Sequence, residues 1–292
     1  MWMVANPRIY CLSTLTAFLG LTWFGAYLHA ASEQEASKGD AVRRLSADEI
    51  ASRAASATYY PQKDVRMDVS MSITDSRGRE RTRQFTLLRR NEGDQAGPEA
   101  SRGRGDQKFY LYFRSPPDVE RMVFMVWKCE SKTDDRWLYL PALDLVKRIA
   151  EKQRRTKLAG SHFFYEDISG RKVDDDRHTL IKTTENYYVL KNTPKDPDGV
   201  EFSYYELWIH RESYIPIRAI YYNKTGQEYR VYDVLRVETI QGCPTVTEAR
   251  MRDLKSKGET VADYSRIRYN VNVPPEVFTE RYLRSYPVKY LE

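Results

Sequence analysis

Most of this chain alternates apolar and polar residues with a period of two. Within residues 66–74 four apolar residues share one face, namely Met67, Val69, Met71 and Ile73. This pattern predicts a strand with one buried face, and the turn residues of 75–80 predict a hairpin. Comparable segments separated by turns follow at 108–115, 121–131 and 135–141, and again through the second half of the chain. We therefore expect roughly ten antiparallel strands in one large curled sheet or open barrel.

Two segments depart from this alternation and predict helices. Ser46 with Glu49 three residues later forms a capping box, and Pro61 ends the helix that follows. The segment 274–286 opens with two prolines and predicts a second, short helix. Strands and helices do not alternate, so a doubly wound α/β fold is not expected.

The first 31 residues predict a secretory signal peptide. Arg8 precedes the uncharged run 9–28, and small residues at 30–32 suit cleavage. An uncleaved anchor in the inner membrane is the alternative, because the uncharged run is nearly long enough to span a bilayer. Both place the rest of the chain outside the cytoplasm. We expect residues 32–45 to form a flexible lead-in and 46–292 to form a single domain.

The net charge bears on the expected binding partners, and the cysteine content bears on a possible disulfide. The net charge of +6 arises from 47 basic and 41 acidic residues. The basic residues are spread along the chain, which favours contact with an anionic membrane surface over nucleic-acid binding. Beyond Cys11 the chain has Cys129 and Cys243, which could form a disulfide or remain two buried thiols.

Catalytic and metal-binding patterns are weak. His162 and Glu166 lie four residues apart, as metal ligands on a helix do, but the alternation of residues 162–168 predicts an extended segment. The acidic run 174–176 is typical of a solvated turn. A P-loop, a dinucleotide fingerprint and a CxxC motif are absent from the sequence. We expect neither an enzyme nor a bound metal or cofactor.

Residues 137–168 carry the most specific pattern in the chain, WLYLPALDLVKRIAEKQRRTKLAGSHFFYEDI. Its W-L-Y-L-P-A-L block, its basic K-R-I-A block and its final G-S…F-Y-E-D-I block resemble the LolA-like outer-membrane lipoprotein-sorting proteins, specifically the group associated with exporters of the resistance–nodulation–division (RND) type. Residues 113–120 and 274–283 resemble further segments of that family. Residues 91–106, which lengthen a turn, and Arg121, where a small residue is common, depart from it.

The resemblance implies a mainly β, α+β fold: a half-open antiparallel β-barrel that wraps a few helices. It also implies a periplasmic carrier that holds the acyl chains of a lipoprotein or lipid in a hydrophobic cavity, for transfer towards the outer membrane. The alternative is an accessory protein that docks an inner-membrane RND-type exporter without carrying lipid.

On this basis aromatic and aliphatic residues are expected to line the cavity: Trp137, Leu138, Tyr139, Leu140, Phe163, Phe164, Tyr165 and Trp208. A basic hairpin at the rim would meet lipid head groups or a partner through Lys147, Arg148, Lys152, Arg154, Arg155 and Lys157. The apolar residues could instead be filled core, and the basic run could be a solvated turn. We expect Glu166 and Asp167 to pair with the basic residues.

Overall fold

The computed structural model describes residues 44–92 and 103–292. The predicted signal peptide lies outside the described residues, as does nearly all of the lead-in. Helix α1 spans Ala47–Tyr59 and begins at the predicted capping box, in which Ser46 Oγ accepts from the Glu49 amide at 3.1 Å and Glu49 accepts from the Ser46 amide at 2.9 Å. Tyr60 follows outside the helix, one residue before Pro61.

Thirteen strands, all paired antiparallel, form one sheet in this part of the chain. In chain order they are β1 (Asp64–Thr74), β2 (Glu80–Asn91), β3 (Gln107–Ser115), β4 (Val123–Lys128), β5 (Asp135–Leu140), β6 (Leu145–Arg148), β7 (Asp176–Thr183), β8 (Tyr187–Pro194), β9 (Phe202–His210), β10 (Pro216–Asn223), β11 (Glu228–Ile240), β12 (Cys243–Asp253) and β13 (Gly258–Tyr269).

The sheet consists of two meanders joined at its centre. Strands β1 to β6 run in order from the centre to one edge, and β7 to β13 run back from the opposite edge until β13 pairs with β1. Residues 149–175, here called the crossover segment, connect the two edges. The sheet has more strands than expected because 178–192 folds back on itself around Thr184–Asn186 and because residues 145–148 form a further strand that pairs with β5.

Apolar residues are buried on both faces of the β1–β5 half of the sheet. On one face Phe85, Leu87 and Phe113 join Phe163 and Tyr165 of the crossover segment. On the opposite face Tyr110, Met125 and Trp137 are covered by residues 271–291, the C-terminal segment. A third cluster lies between α1 and strands β8 and β9, with Ile50, Leu190 and Ile209 at its centre. Because period-two strands present one set of side chains to each face, both coverings are needed to bury them.

Short helices differ from the sequence-based expectations in two places. Residues Tyr165–Ser169 form helix α2 rather than an extended segment, and Asp167 accepts from the Phe164 amide at 2.6 Å to cap it. The predicted helix of 274–286 is divided into a 3₁₀ turn, Pro275–Phe278, and helix α3, Arg281–Arg284; helix α4 (Val288–Leu291) follows. None of the helices in the described residues is both long and apolar enough to cross a membrane.

Candidate functional site

A cavity of about 330 Å³ lies between α1, the crossover segment and the sheet. Strands β1 and β2 contribute apolar side chains such as Met67, Val69 and Leu87, and β12 contributes Met251. Tyr221, Tyr232 and Tyr264 extend the wall across β10, β11 and β13. The cavity therefore separates the core cluster of the β1–β5 half from the cluster under α1.

Small side chains on α1 explain why this space is not filled. The helix faces the cavity with Ala51, Ala54, Ala55 and Ala57. An alanine side chain is a single methyl group, so the gap between the helix and the sheet stays open. Alanine also has the highest helix propensity, so the helix is not weakened by this choice.

The crossover segment forms a hairpin whose two arms are held by backbone and side-chain contacts. Leu158 donates from its amide to the Phe163 carbonyl at 2.8 Å, and the Glu166 amide donates to the Arg154 carbonyl at 2.9 Å. At Gly170, where φ is +69°, an added Cβ would overlap the ring of Tyr59, so the hairpin can pass this close to α1 only with glycine there.

Glu166 is the centre of an ion-pair network at one end of the cavity. Its carboxylate accepts from Arg154 Nε at 2.8 Å, Arg155 Nη1 at 2.6 Å and Arg171 Nη1 at 3.2 Å. Arg155 also binds Glu201, and Arg171 also binds Asp176. Burial alone would raise the pKa of Glu166, but Arg155, Arg171 and Arg154 hold it at about 2. The carboxylate is therefore ionised and fully engaged at neutral pH.

Phe164 and Asp167 tie the same hairpin to β11. Arg230 of β11 pairs with Asp167 and places its guanidinium 4.1 Å from the centroid of the Phe164 ring. Arg155 lies over the same ring at 4.9 Å. Two stacked guanidinium groups fix the ring, which fits a positioning role in the crossover segment. The expected pairing of Glu166 and Asp167 with basic residues is present, but for Asp167 the partner is the distant Arg230.

Of the eight residues expected to line the cavity, Phe163 does so. Leu138, Leu140 and Tyr165 pack into the core cluster of the β1–β5 half instead. Trp137 and Tyr139 point to the opposite face, against the C-terminal segment, because neighbouring residues on β5 alternate between faces. Trp208 is next to the lining residue Leu207 and contacts Arg218 instead, and Phe164 is held in the ion-pair network.

The six basic residues do not share one exposed rim. Lys147 and Arg148 lie on the edge strand β6, and Lys152 and Lys157 are exposed on the crossover segment. Arg154 and Arg155 turn inward, and their side chains are only 14% and 8% exposed. The predicted rim geometry is wrong for these two residues, because buried Glu166 provides a stronger partner than solvent.

His162 and Glu166 belong to different networks. His162 Nδ1 lies 2.9 Å from Thr260 Oγ1, and burial lowers the pKa of its ring. No group of three or more His, Cys, Asp or Glu side chains suited to a metal ion occurs within residues 44–92 and 103–292. Cys129 and Cys243 are both free thiols.

The wall residues on α1 and on β10 to β13 were missed from the sequence. Their signal was present in α1, where four alanines stand towards one side of the helix. In the strands, alternation identified one apolar face but not which part of that face remained uncovered.

Comparisons with known proteins agree with this architecture. A model of a family described as "Uncharacterized protein" matches residues 105–285. No curated protein matches the sequence. A DUF1329 family protein from Desulfovibrio piger has a similar structure, with a TM-score of 0.72 and 27% identity over 81% of this chain and 97% of that chain.

Two further solved structures share the fold. An outer membrane lipoprotein-sorting protein domain from Vibrio parahaemolyticus has a TM-score of 0.71 and 22% identity, over 82% of this chain and 98% of that one. A LolA superfamily protein from Nitrosomonas europaea has a TM-score of 0.61 and 20% identity, over 82% of this chain and 100% of that one. The predicted LolA-like resemblance and fold class are confirmed.

Proposed function

Given that this chain belongs to the uncharacterized protein family whose model matches residues 105–285, and has the fold of the LolA superfamily, we propose that it is a carrier. It binds the acyl chains of a lipoprotein or lipid in the cavity under α1 and transfers them towards the outer membrane. The observation that carries the proposal is a cavity of about 330 Å³ whose wall on β1, β2 and β12 is mostly apolar.

The cavity suits this task on energetic grounds. Each CH₂ group that leaves water for an apolar site gains about 0.8 kcal/mol, so a free acyl chain does not cross an aqueous space at a useful rate. Methionine side chains such as Met67, Met71 and Met251 adapt to chains of different shape, which supports both loading and release. The volume lies within the range of about 300–1,000 Å³ typical of small-molecule sites.

The proposal includes the cellular setting. Residues 1–31 direct export or anchor the chain in the inner membrane, and 46–292 act as the carrier domain in the periplasm. An RND-type exporter in the inner membrane is the proposed partner. The exposed cations of β6 and the crossover segment, Lys147, Arg148, Lys152 and Lys157, meet anionic head groups or that partner.

We also propose that the cavity has no catalytic role. Glu166 and Asp167 line the cavity, but arginines engage both carboxylates, and the low pKa of Glu166 makes it a poor general base.

The direct test is mass spectrometry of an organic extract from the protein, purified without detergent from the periplasm of its own host. A stoichiometric acylated species is the expected result and names the cargo. An empty extract from folded protein, together with recovery of an exporter in a pull-down, would instead support the accessory docking role.

A further inference from the structure

Arg89 is a buried cation in the wall of the cavity, at a position where the strand pattern calls for an apolar side chain. On β2, Phe85, Leu87 and Arg89 stand on the same face, and all three line the cavity. Arg89 is directly opposite Val65 of β1, which is also apolar and buried. Arg89 is only 4% exposed to solvent.

Arg89 has no carboxylate in hydrogen-bond contact among the described residues. Nη2 donates to the Gln62 carbonyl at 3.1 Å, while Nε is buried without a hydrogen-bond partner. Within the described residues it forms no ion pair. Asp64 is close enough to act on it electrostatically, but makes no hydrogen bond to it; Asp64 Oδ1 accepts from the Val271 amide at 2.7 Å.

The other cations of the cavity wall differ in this respect. Arg155 and Arg171 both bind Glu166, and Lys172 pairs with Asp134 at 3.5 Å. Burying a guanidinium without an anion is costly, and a protein rarely retains such a group in an apolar wall without a use for it. Burial lowers the pKa of Arg89 to about 10, so the group is still charged at neutral pH.

Two hydroxyl groups accompany Arg89 on the cavity wall. Thr245 Oγ1 and Tyr269 OH share a hydrogen bond of 2.9 Å, and both residues line the cavity. Burial raises the pKa of Tyr269, and Thr245 and Arg89 oppose that rise, which places the phenol in the field of the guanidinium. This part of the wall therefore places one cation beside two hydroxyl groups, whereas most of the other wall residues on β1, β2 and β12 are apolar.

We propose that Arg89 recognises the anionic head of an amphiphile whose apolar chain occupies the cavity, so that the cargo is an acyl chain with a carboxylate or phosphate at its end. This assignment rests on the proposed carrier function and specifies its ligand class. The ligand supplies the hydrogen-bonded anion that Asp64 does not, and a charged hydrogen bond in such a dry site is strong.

The test compares head groups on one chain. Full-length protein, stripped of bound lipid, is titrated by calorimetry with dodecanol, dodecanoate and dodecyl phosphate, and with inorganic phosphate alone. We expect both anionic amphiphiles to bind at least about tenfold more tightly than dodecanol. Their order distinguishes a fatty-acid head from a phospholipid head. Inorganic phosphate that binds as tightly as dodecyl phosphate would overturn the amphiphile assignment.

Variants then locate the preference. Arg89→Met should remove the preference for anionic amphiphiles over dodecanol and should keep the affinity for dodecanol within about twofold of the wild-type value. Arg90→Met is the matched control, because Arg90 is the next residue of β2, does not line the cavity and donates to the Val273 carbonyl at 2.7 Å. It should keep the wild-type preference. Equal binding of charged and neutral probes by the wild type would overturn the Arg89 assignment alone, whereas failure of every probe to bind would overturn the carrier function with it.

Ligand-free stability gives an independent readout. If Arg89 serves the ligand, Arg89→Met should melt no lower than the wild type, because an unpaired buried cation has been removed. A large loss of stability combined with an unchanged head-group preference would instead show that Arg89 is structural.

Discussion

Arg155 Nη1 donates a hydrogen bond of 2.6 Å to Glu166 Oε2, and the two side chains are only 8% and 4% exposed. This contact closes the crossover hairpin over one end of the cavity. The Glu166 carboxylate forms ion pairs with three arginines, so this one buried group holds much of the hairpin in place. Removing one partner of a buried ion pair is costly because the other charges remain in a medium of low dielectric.

The first prediction concerns that carboxylate. Glu166→Gln should lower the free energy of unfolding at pH 7 by about 3 kcal/mol. The folded chain keeps Glu166 ionised down to a pKa of about 2, against an ordinary value of 4.5. Its stabilisation is therefore present above pH 4.5 and lost as the pH falls towards 2. Urea unfolding between these pH values should show a shallower acid loss in the variant.

Glu201→Gln is the control for this experiment. Glu201 also binds Arg155, but its side chain is 41% exposed, so solvent screens the pair. Glu201→Gln should lower the free energy of unfolding by no more than about 1 kcal/mol. Equal effects of the two substitutions would contradict a central role for Glu166.

The second prediction concerns Lys128, which is buried and donates from Nζ to the Ser169 carbonyl at 2.8 Å. Burial lowers its pKa from 10.5 to about 8. Between those pH values the unfolded chain binds more protons than the folded chain, so stability should rise as the pH increases from 8 to 10.5. Below pH 8 the full cost of burying the charge is present.

Lys128→Met should remove this rise. At pH 7 the free energy of unfolding of the variant should exceed that of the wild type by about 1–2 kcal/mol. The cost of burying the charge is removed, and this cost is larger than the contribution of the lost hydrogen bond. Chemical unfolding of both proteins at pH 7 and pH 10 measures the two quantities. Parallel pH profiles for the variant and the wild type would show that Lys128 is not the group that titrates.

The third prediction concerns the alanines of α1. Ala57→Phe should fill part of the cavity and reduce the affinity for an acyl-chain probe by at least about tenfold, a loss of about 1.4 kcal/mol. Because the cavity provides the space, the melting temperature should not fall. Fluorescence displacement of a bound apolar dye by dodecanol measures the affinity.

Asp48→Phe serves as the comparison, since it adds the same side chain at an exposed position of α1. It should leave the affinity unchanged. An Ala57→Phe protein that is folded and binds as tightly as the wild type would place the ligand outside this cavity.

The fourth prediction concerns exposed cations. Lys147→Gln combined with Lys152→Gln should weaken binding to vesicles that contain anionic lipid by about 2 kcal/mol, at about 1 kcal/mol for each charge. Both side chains are exposed, so the fold should be retained. Co-sedimentation with neutral vesicles is the control and should not change. Arg154 and Arg155 are unsuitable for this test, because their substitution would disrupt the buried network around Glu166.

The strand pattern predicted most of the sheet, because a half-buried strand must alternate and the alternation is visible locally. Met67, Val69 and Met71 could be assigned to one buried face of β1 without any tertiary information. The capping box at Ser46 is equally local. Residues 162–168 were expected to be extended, and this expectation is wrong for Tyr165–Ser169, because the capping by Asp167 that starts helix α2 depends on geometry.

The sequence by itself determined the antiparallel β class, the first helix and the resemblance carried by residues 137–168, whereas the signal peptide of residues 1–31 stays a prediction. Only the tertiary structure decided which apolar residues enclose the cavity, because β5 and the crossover segment are covered by elements distant in the chain. Trp137 faces the C-terminal segment. Met251 and Tyr264, which do line the cavity, lie more than a hundred residues after Trp137 in the chain. Arg154 and Arg155 face inward for the same physical reason: the partner of a buried charge is set by three-dimensional packing, and a local pattern of cations does not contain it.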